Sequence, residues 1–223
     1  MSFLVRARLK GDASIASIAT LLLPQDAARR AEASHRLLWS LFAGDPSARR
    51  EFLWREENAG TFYILSARAP DENAIFDVEV KEFAPALAVG DRLRFSLRAN
   101  ATRAYKRPGA RRSQRADVVM AALASLPTHE RSSQRQAMIQ EAGAAWLAGQ
   151  GTKHGFELCA APRVDGYNQW KIPRGNAAKI AIATLDFDGI LHITDASVFT
   201  AALTKGFGHA KAFGCGLMLI RRG

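Results

Sequence analysis

Apolar and basic residues alternate at the start of the chain. Val5, Ala7 and Leu9 are interleaved with Arg6, Arg8 and Lys10, a period of two that predicts a strand over residues 3–9. The period then changes. Ser34, Leu37, Leu38 and Leu41 fall on one face at helical spacing, so residues 29–42 read as a helix ended by Gly44-Asp45-Pro46. Residues 51–55, 61–66 and 75–83 read as three short strands separated by turn residues.

After Gly90-Asp91, Leu93, Phe95 and Leu97 alternate with Arg92, Arg94, Ser96 and Arg98, a strand with one apolar and one basic face. Residues 105–115, with Pro108-Gly109, read as a basic loop, 116–126 and 134–148 as helices, and 156–163 as a strand. Residues 167–186 fold back at Pro173-Arg174-Gly175-Asn176, a basic hairpin tip carrying Lys171, Arg174 and Lys179. A further hairpin is expected from 180–187 and 190–194 across Asp188-Gly189. Asp195 caps a helix to about residue 205, and 216–221 closes the chain as a strand. Strands and helices in two successive halves predict an α+β chain. It is expected to hold two tandem ferredoxin-like domains, residues 1–90 and 91–223, in the sheet family that includes common RNA-binding modules. No exact internal repeat is visible, so the duplication rests on element order.

Composition narrows the function. The chain has 223 residues, 48% hydrophobic and 23% charged, enough to bury real cores. It shows neither a signal-peptide stretch at its start nor an apolar run long enough to span a membrane, and its two cysteines, Cys159 and Cys215, are too few for a disulfide framework or a four-ligand zinc site. A reducing, cytoplasmic setting is expected. The net charge is +10, and residues 92–116 carry nine Lys and Arg with no acid, which is nearly the whole excess. Charge so concentrated points to a polyanion, although a solvated loop remains the alternative for each basic segment.

The least ordinary local feature is the run from Gly206 to Gly216, in which Gly206, Gly208, Gly214 and Gly216 surround His209 and Lys211. Glycine lets backbone approach a ligand closely, so this run reads either as a phosphate-cradling loop or as a tight helix-to-strand connection. It matches neither a dinucleotide fingerprint nor a Walker loop. Of the five histidines, His35 borders the apolar helix face beside Leu38 and Phe42. That place steadies a ring while leaving it reachable, which suits proton transfer, although a histidine so placed is more often structural. His192 reads as structural and His209 as a phosphate contact. Neither metal-ligand spacing nor Gly-x-Ser-x-Gly occurs, so no metal or cofactor is called for.

Together, these residues resemble a known family. The segments that carry the likeness are His35-Arg36-Leu37-Leu38-Trp39-Ser40-Leu41-Phe42, Arg50-Glu51-Phe52-Leu53-Trp54-Arg55, Leu97-Arg98-Ala99-Asn100, Asp188-Gly189-Ile190-Leu191 with Thr194-Asp195, and the terminal glycine run through Leu217. They resemble the CasE family of type I-E CRISPR repeat-processing endoribonucleases over nearly the whole chain. The resemblance implies two ferredoxin-like (RAMP) domains with the glycine loop near their junction. It also implies metal-independent cutting of the hairpin repeat in precursor CRISPR RNA, and retention of the product with other subunits of a surveillance complex. It makes His35 the proton-transfer residue while the ribose 2′-hydroxyl attacks the adjacent phosphate. Where the family often has a tyrosine one turn earlier, this chain has Glu32. Arg103, Lys106, Arg107, Arg111, Arg112, Arg115, Lys171, Arg174, Lys179, His209 and Lys211 are the expected RNA contacts. The rival readings are a non-catalytic RNA-binding subunit and a DNA-binding or metal-dependent nuclease.

Overall fold

The N-terminal alternation becomes strand β1, Phe3–Leu9, with Val5 and Ala7 turned fully into the interior. The computed structural model describes residues 1–42, 51–106, 109, 111, 113–174 and 177–223, with backbone alone at 172–174 and 177–180. After β1 come α1 (Ala13–Leu22) and α2 (Ala27–Trp39), the latter tightening into a 3-10 turn at Ser40–Phe42. Then follow β2 (Phe52–Asn58), β3 (Thr61–Ser66) and β4 (Phe76–Glu82). They form an antiparallel sheet in the order β2-β3-β1-β4, and the chain passes from β3 to β4 without a helix. Leu37 and Leu38 of α2 join Val5, Trp54, Phe62, Ile64 and Phe76 in one core, as the apolar face of residues 29–42 requires.

Helix α1 has no counterpart in the sequence reading. None of its residues is fully buried, and its core-facing stripe is only the half-buried Ile15, Ala19 and Leu22. It starts at a cap, where Asp12 accepts from the Ile15 amide at 2.9 Å.

The second sheet is built from β5 (Arg92–Ala99), β8 (Phe156–Leu158), β9 (Arg163–Arg174), β10 (Ala177–Ile193) and β11 (Met218–Arg222). Between β5 and β8 lie a short two-stranded arm, β6 (Thr102–Tyr105) with β7 (Gln114–Asp117), and helices α3 (Val118–Ala124) and α4 (Arg135–His154). Helix α5 (Ala196–Lys205) and a 3-10 turn at Lys211–Phe213 precede β11. The order is β11-β5-β10-β8, with β9 paired to β10. Leaving β9 aside, both sheets run fourth, first, third, second, so the element order that suggested duplication is repeated in the pairing.

Three expectations change. Asp188-Gly189 is no turn: Asp188 pairs with Ser96 and Gly189 with Phe95, and β10 runs straight through. A Cβ on Gly189 would come within 3.1 Å of the Phe95 ring, so this glycine makes room for a neighbour rather than reversing the chain. Residues 156–163 divide into the end strand β8 and the start of β9, interrupted before Arg163 by Pro162. The basic loop is a paired arm at its base, with Tyr105 opposite Gln114.

The second core gathers Leu93, Phe95 and Leu97 with Leu147, Phe156, Phe187, Phe199 and Phe207. The sheets meet through Leu53, Leu65 and Leu217, and through Arg55, which donates to Ser96 Oγ at 2.7 Å. Among the described residues no helix is long and apolar enough to cross a membrane.

Candidate nucleic-acid interface

Helix α2 begins where Asp26 accepts from the Arg29 amide at 2.9 Å. Its Ala28, Ala31 and Ser34 are buried, and such small residues let neighbouring backbone come close. Ala28 packs against Ile182, Trp170, Ala210 and Phe213, which brings β9, β10 and the glycine run under the helix. His35 lies one turn beyond Ala31 and is half-buried. Its ring centroid is 6.1 Å from that of Phe52 and 6.3 Å from that of Trp39. The Trp39 indole N–H donates to His35 Nε2 at 3.4 Å, a long bond, while Nδ1 is sealed from solvent. Glu32, in the place of the family's tyrosine, is ion-paired with Arg36 on the outer side of the helix.

The glycine run turns inward. Gly206, Gly208, Gly214 and Gly216 all have φ between 71° and 94°. A Cβ on Gly214 would come within 3.1 Å of Trp54, and on Gly208 within 2.9 Å of the Asn100 carbonyl oxygen. The amides of Gly206 and Gly216 donate to Ala202 and Arg98 carbonyls at 2.8 and 2.7 Å, so these two serve the protein's own backbone. The run is therefore a wedge between the two sheets, and it presents side chains: His209 is exposed and Lys211 half-buried. Asn100 anchors it, its Nδ2 donating to the Ala183 carbonyl at 2.6 Å while its backbone bridges His209.

A groove of about 820 Å³ opens between the β6–β7 arm, β9–β10 and the glycine run. Arg115, Lys171 and His209, from three separate stretches of sequence, line it together with Trp170 and Phe213. Burial, Arg115 and Lys211 hold the His209 pKa below its usual value. Arg103, Lys106 and Arg111 are exposed on or beside the arm and do not line the groove. Arg107 and Arg112 lie outside the described residues. Arg174 and Lys179 fall in β9 and β10, with side chains outside the described residues.

Sequence reasoning missed Asp117 and Gln169, which line the groove, and Tyr167 beside them. Asp117, which caps α3 through the Val119 amide at 2.9 Å, accepts from the Tyr167 hydroxyl and from Gln169 Nε2 at 3.2 Å. Arg135 lies 5.2 Å above the Tyr167 ring. Burial first, then Asp117, push the Tyr167 hydroxyl far up, so it stays protonated and acts as a donor. The signal was the alternation Tyr167, Gln169, Lys171 along one strand face. Among the described residues no three His, Cys, Asp or Glu side chains cluster to hold a metal ion.

Comparison with known proteins places this geometry. A family model described as "CRISPR associated protein" matches residues 2–222. The CRISPR system Cascade subunit CasE of Escherichia coli K12 is 29% identical over 199 residues, covering 83% of this chain and 89% of that protein. The fold is shared with Thermus thermophilus Cse3 bound to an RNA representing a pre-cleavage complex, at TM-score 0.69 and 22% identity over 99% of this chain and 98% of that one. It is shared too with Cas6e of E. coli K-12, at TM-score 0.61 and 22% identity over 99% and 100%. The chain belongs to the CRISPR-associated protein family and, within it, is a member of the CasE family.

Proposed function

We propose that this protein is an endoribonuclease that binds the hairpin repeat of precursor CRISPR RNA, cuts it without a metal or other cofactor, and stays with the product as a subunit of a cytoplasmic surveillance complex. Two tandem ferredoxin-like domains, residues 1–90 and 91–223, carry the two halves of the site. One observation bears most of the weight: Arg115, Lys171 and His209 converge on a single groove beside the helix that holds His35. Matched cations along one channel are what a ribonucleotide backbone requires. The exposed Arg103, Lys106 and Arg111, with Arg107, Arg112, Arg174 and Lys179, extend that track along the arm and the hairpin.

In the reaction the 2′-oxygen attacks the adjacent phosphorus. The O2′–P bond forms, the P–O5′ bond breaks, and the products are a cyclic phosphate and a 5′-hydroxyl. His35 Nε2, an acceptor here, takes the 2′-hydroxyl proton once the RNA displaces the Trp39 indole, and the departing 5′-oxygen takes a proton from water, whose hydroxide the proton held by His35 then neutralises. Lys211 stabilises the phosphate as charge develops on it. Rigid grip on the hairpin aligns the three reacting centres, which contributes several kcal/mol, of order 7–11 at the upper end for intramolecular reactions.

A second reading is favoured by the packing of the His35 ring between Trp39 and Phe52: a non-catalytic RNA-binding subunit in which this histidine is structural. The two separate in one experiment. Purified protein is incubated with a repeat hairpin in EDTA, alongside His35→Ala and an RNA with a single 2′-deoxy sugar at the cut. Cutting in EDTA that disappears with either change, while binding persists, supports the enzyme. Unchanged cutting by His35→Ala overturns it, and cutting that needs the metal or accepts DNA points to a metal-dependent nuclease. A Lys211→Ala protein that binds less tightly but cuts bound RNA at the normal rate removes Lys211 from the chemistry.

A further inference from the structure

Behind the cationic groove lies a second cavity of about 220 Å³, between α2, β2, β9, β10 and the glycine run. Trp170 and Phe213 line both, so their rings form the shared wall, with centroids 6.4 Å apart and planes at 83°. The two chambers differ in charge. The larger one presents Arg115, Lys171 and His209. The smaller one holds cations that are already neutralised. Arg30 meets Glu56 through three contacts of 2.7 to 3.0 Å, and Arg98 grips Asp186 in a fork of 2.7 and 2.9 Å. A phosphate entering there would break both pairs and meet two carboxylates, whereas a flat neutral ring would meet an indole face.

Thr184 supplies a polar partner for such a ring. It lines the smaller cavity and is only 5% exposed. A hydroxyl on a cavity wall can both donate to and accept from the edge of a ligand ring. Access is open from the side, because β9 pairs only with β10 among the described strands and Trp170 therefore stands on an edge strand.

We infer that the smaller cavity seats one unstacked nucleobase of the bound RNA, stacked on Trp170 and read by the Thr184 hydroxyl, while its phosphates stay in the cationic groove. This deepens the RNA-cleaving reading and rests on it. Ala27, Arg30 and Ala31 of α2 close the cavity from above, one helical turn before His35, so the seated base belongs to a nucleotide beside the bond that is cut. Pulling that base out of the stack swings its ribose away from the helical geometry, which frees the 2′-oxygen to line up with the phosphorus. Trp170 is a positioning residue, since it touches the base and not the reacting atoms.

The test uses the whole protein with repeat hairpin RNAs that the wild type cuts. Each carries one abasic nucleotide, placed in turn at the three positions on either side of the cut. One position should weaken wild-type binding about ten- to a hundredfold, the range found when a base loses its aromatic platform. The same RNA should cost Trp170→Ala nothing further, and Trp170→Phe should keep most of the wild-type response. Thr184→Val, nearly isosteric, should bind the abasic RNA as the wild type does but lose discrimination among the four bases at that position. An abasic series that costs wild type and Trp170→Phe alike no more than twofold at every position overturns the inference, as does Thr184→Val with base preference intact. If Trp170→Ala fails to fold, the phenylalanine and valine variants still decide. Should the wild type neither bind nor cut any hairpin RNA, the RNA-cleaving reading itself is wrong, an outcome distinct from a base-insensitive enzyme.

Discussion

Gly206 is the position where the wedge between the sheets is most tightly constrained, and replacing it with alanine tests whether the glycine run is a structural joint. Its φ of 77° and ψ of 158° lie in a region that residues with a Cβ scarcely enter, at a cost of about 1–3 kcal/mol. The added methyl would also stand 2.7 and 2.8 Å from the Leu53 methyl carbons and 3.0 Å from the Gly216 carbonyl oxygen. Leu53 is 4% exposed within the inter-sheet cluster and cannot swing away, so overpacking adds about 1–3 kcal/mol. The expected loss is about 4 kcal/mol, a large part of a stability of about 5–15 kcal/mol. Gly90→Ala is the control: its φ is 89° but nothing lies within 4 Å of the added Cβ, so only the backbone cost of about 1–2 kcal/mol remains. Urea unfolding followed by tryptophan fluorescence measures both, at unchanged slope. In a Leu53→Ala background the Gly206→Ala loss should shrink by about 1–2 kcal/mol, because the methyl then has room. Equal losses for Gly206→Ala and Gly90→Ala would refute the joint, and a stable Gly206→Ala that fails to bind RNA would restore the phosphate-cradle expectation.

Charge and protonation give further outcomes. Burial and neighbouring cations lower the pKa of both His209 and His154 from 6.5, so the unfolded chain binds more protons just below that value, and stability falls as pH drops through it; thermal melts between pH 8 and 5 measure this. RNA phosphates beside Arg115 and Lys211 reverse the effect on His209. Binding should therefore take up a proton and tighten from pH 8 to 6, and His209→Gln should flatten that slope. Arg115→Ala and Lys171→Ala should each reduce the slope of log affinity against log salt by about one. Burial pushes the Cys215 thiol up to about 12, whereas Cys159 is exposed. A thiol reagent at pH 8 should modify one cysteine in the native protein and two in denaturant.

Most elements were legible because each has an apolar face with a definite period. Residues 29–42 and the alternations at 3–9 and 92–98 bury the side chains that their spacing selects, and Asp195 caps α5 as expected, accepting from the Val198 amide at 3.0 Å. Two failures have different causes. Asp188-Gly189 has the composition of a turn, but the hydrogen-bonding partner that keeps it extended is Phe95 on β5, nearly a hundred residues away and invisible to a local pattern. Helix α1 offers only a weak, half-buried stripe of Ile15, Ala19 and Leu22, which the pattern reading passed over. In the site, the cations could be picked by their density and the glycines by theirs. Trp170, Thr184 and Tyr167 are single residues in ordinary strands, and their chemistry comes only from what folds against them.

That difference explains why the site sits where it does. His35 belongs to the helix packed on the first sheet, whereas Arg115, Lys171 and His209 hang from the second, so in the proposed reading neither half aligns RNA alone. What fixes one half against the other is a short list of contacts around β2: Leu53 against Leu217, Arg55 on Ser96, and Trp54 beneath Gly214. Each glycine of the run is small where Leu53, Trp54, or the backbone of Asn100 or Phe207 needs the space. The glycine density is thus explained by the closeness with which the two halves must meet, and in the proposed reading RNA positioning follows from that joint. Loosening β2 should then impair cutting more than binding, since the cationic groove lies wholly within the second half while alignment with His35 depends on both.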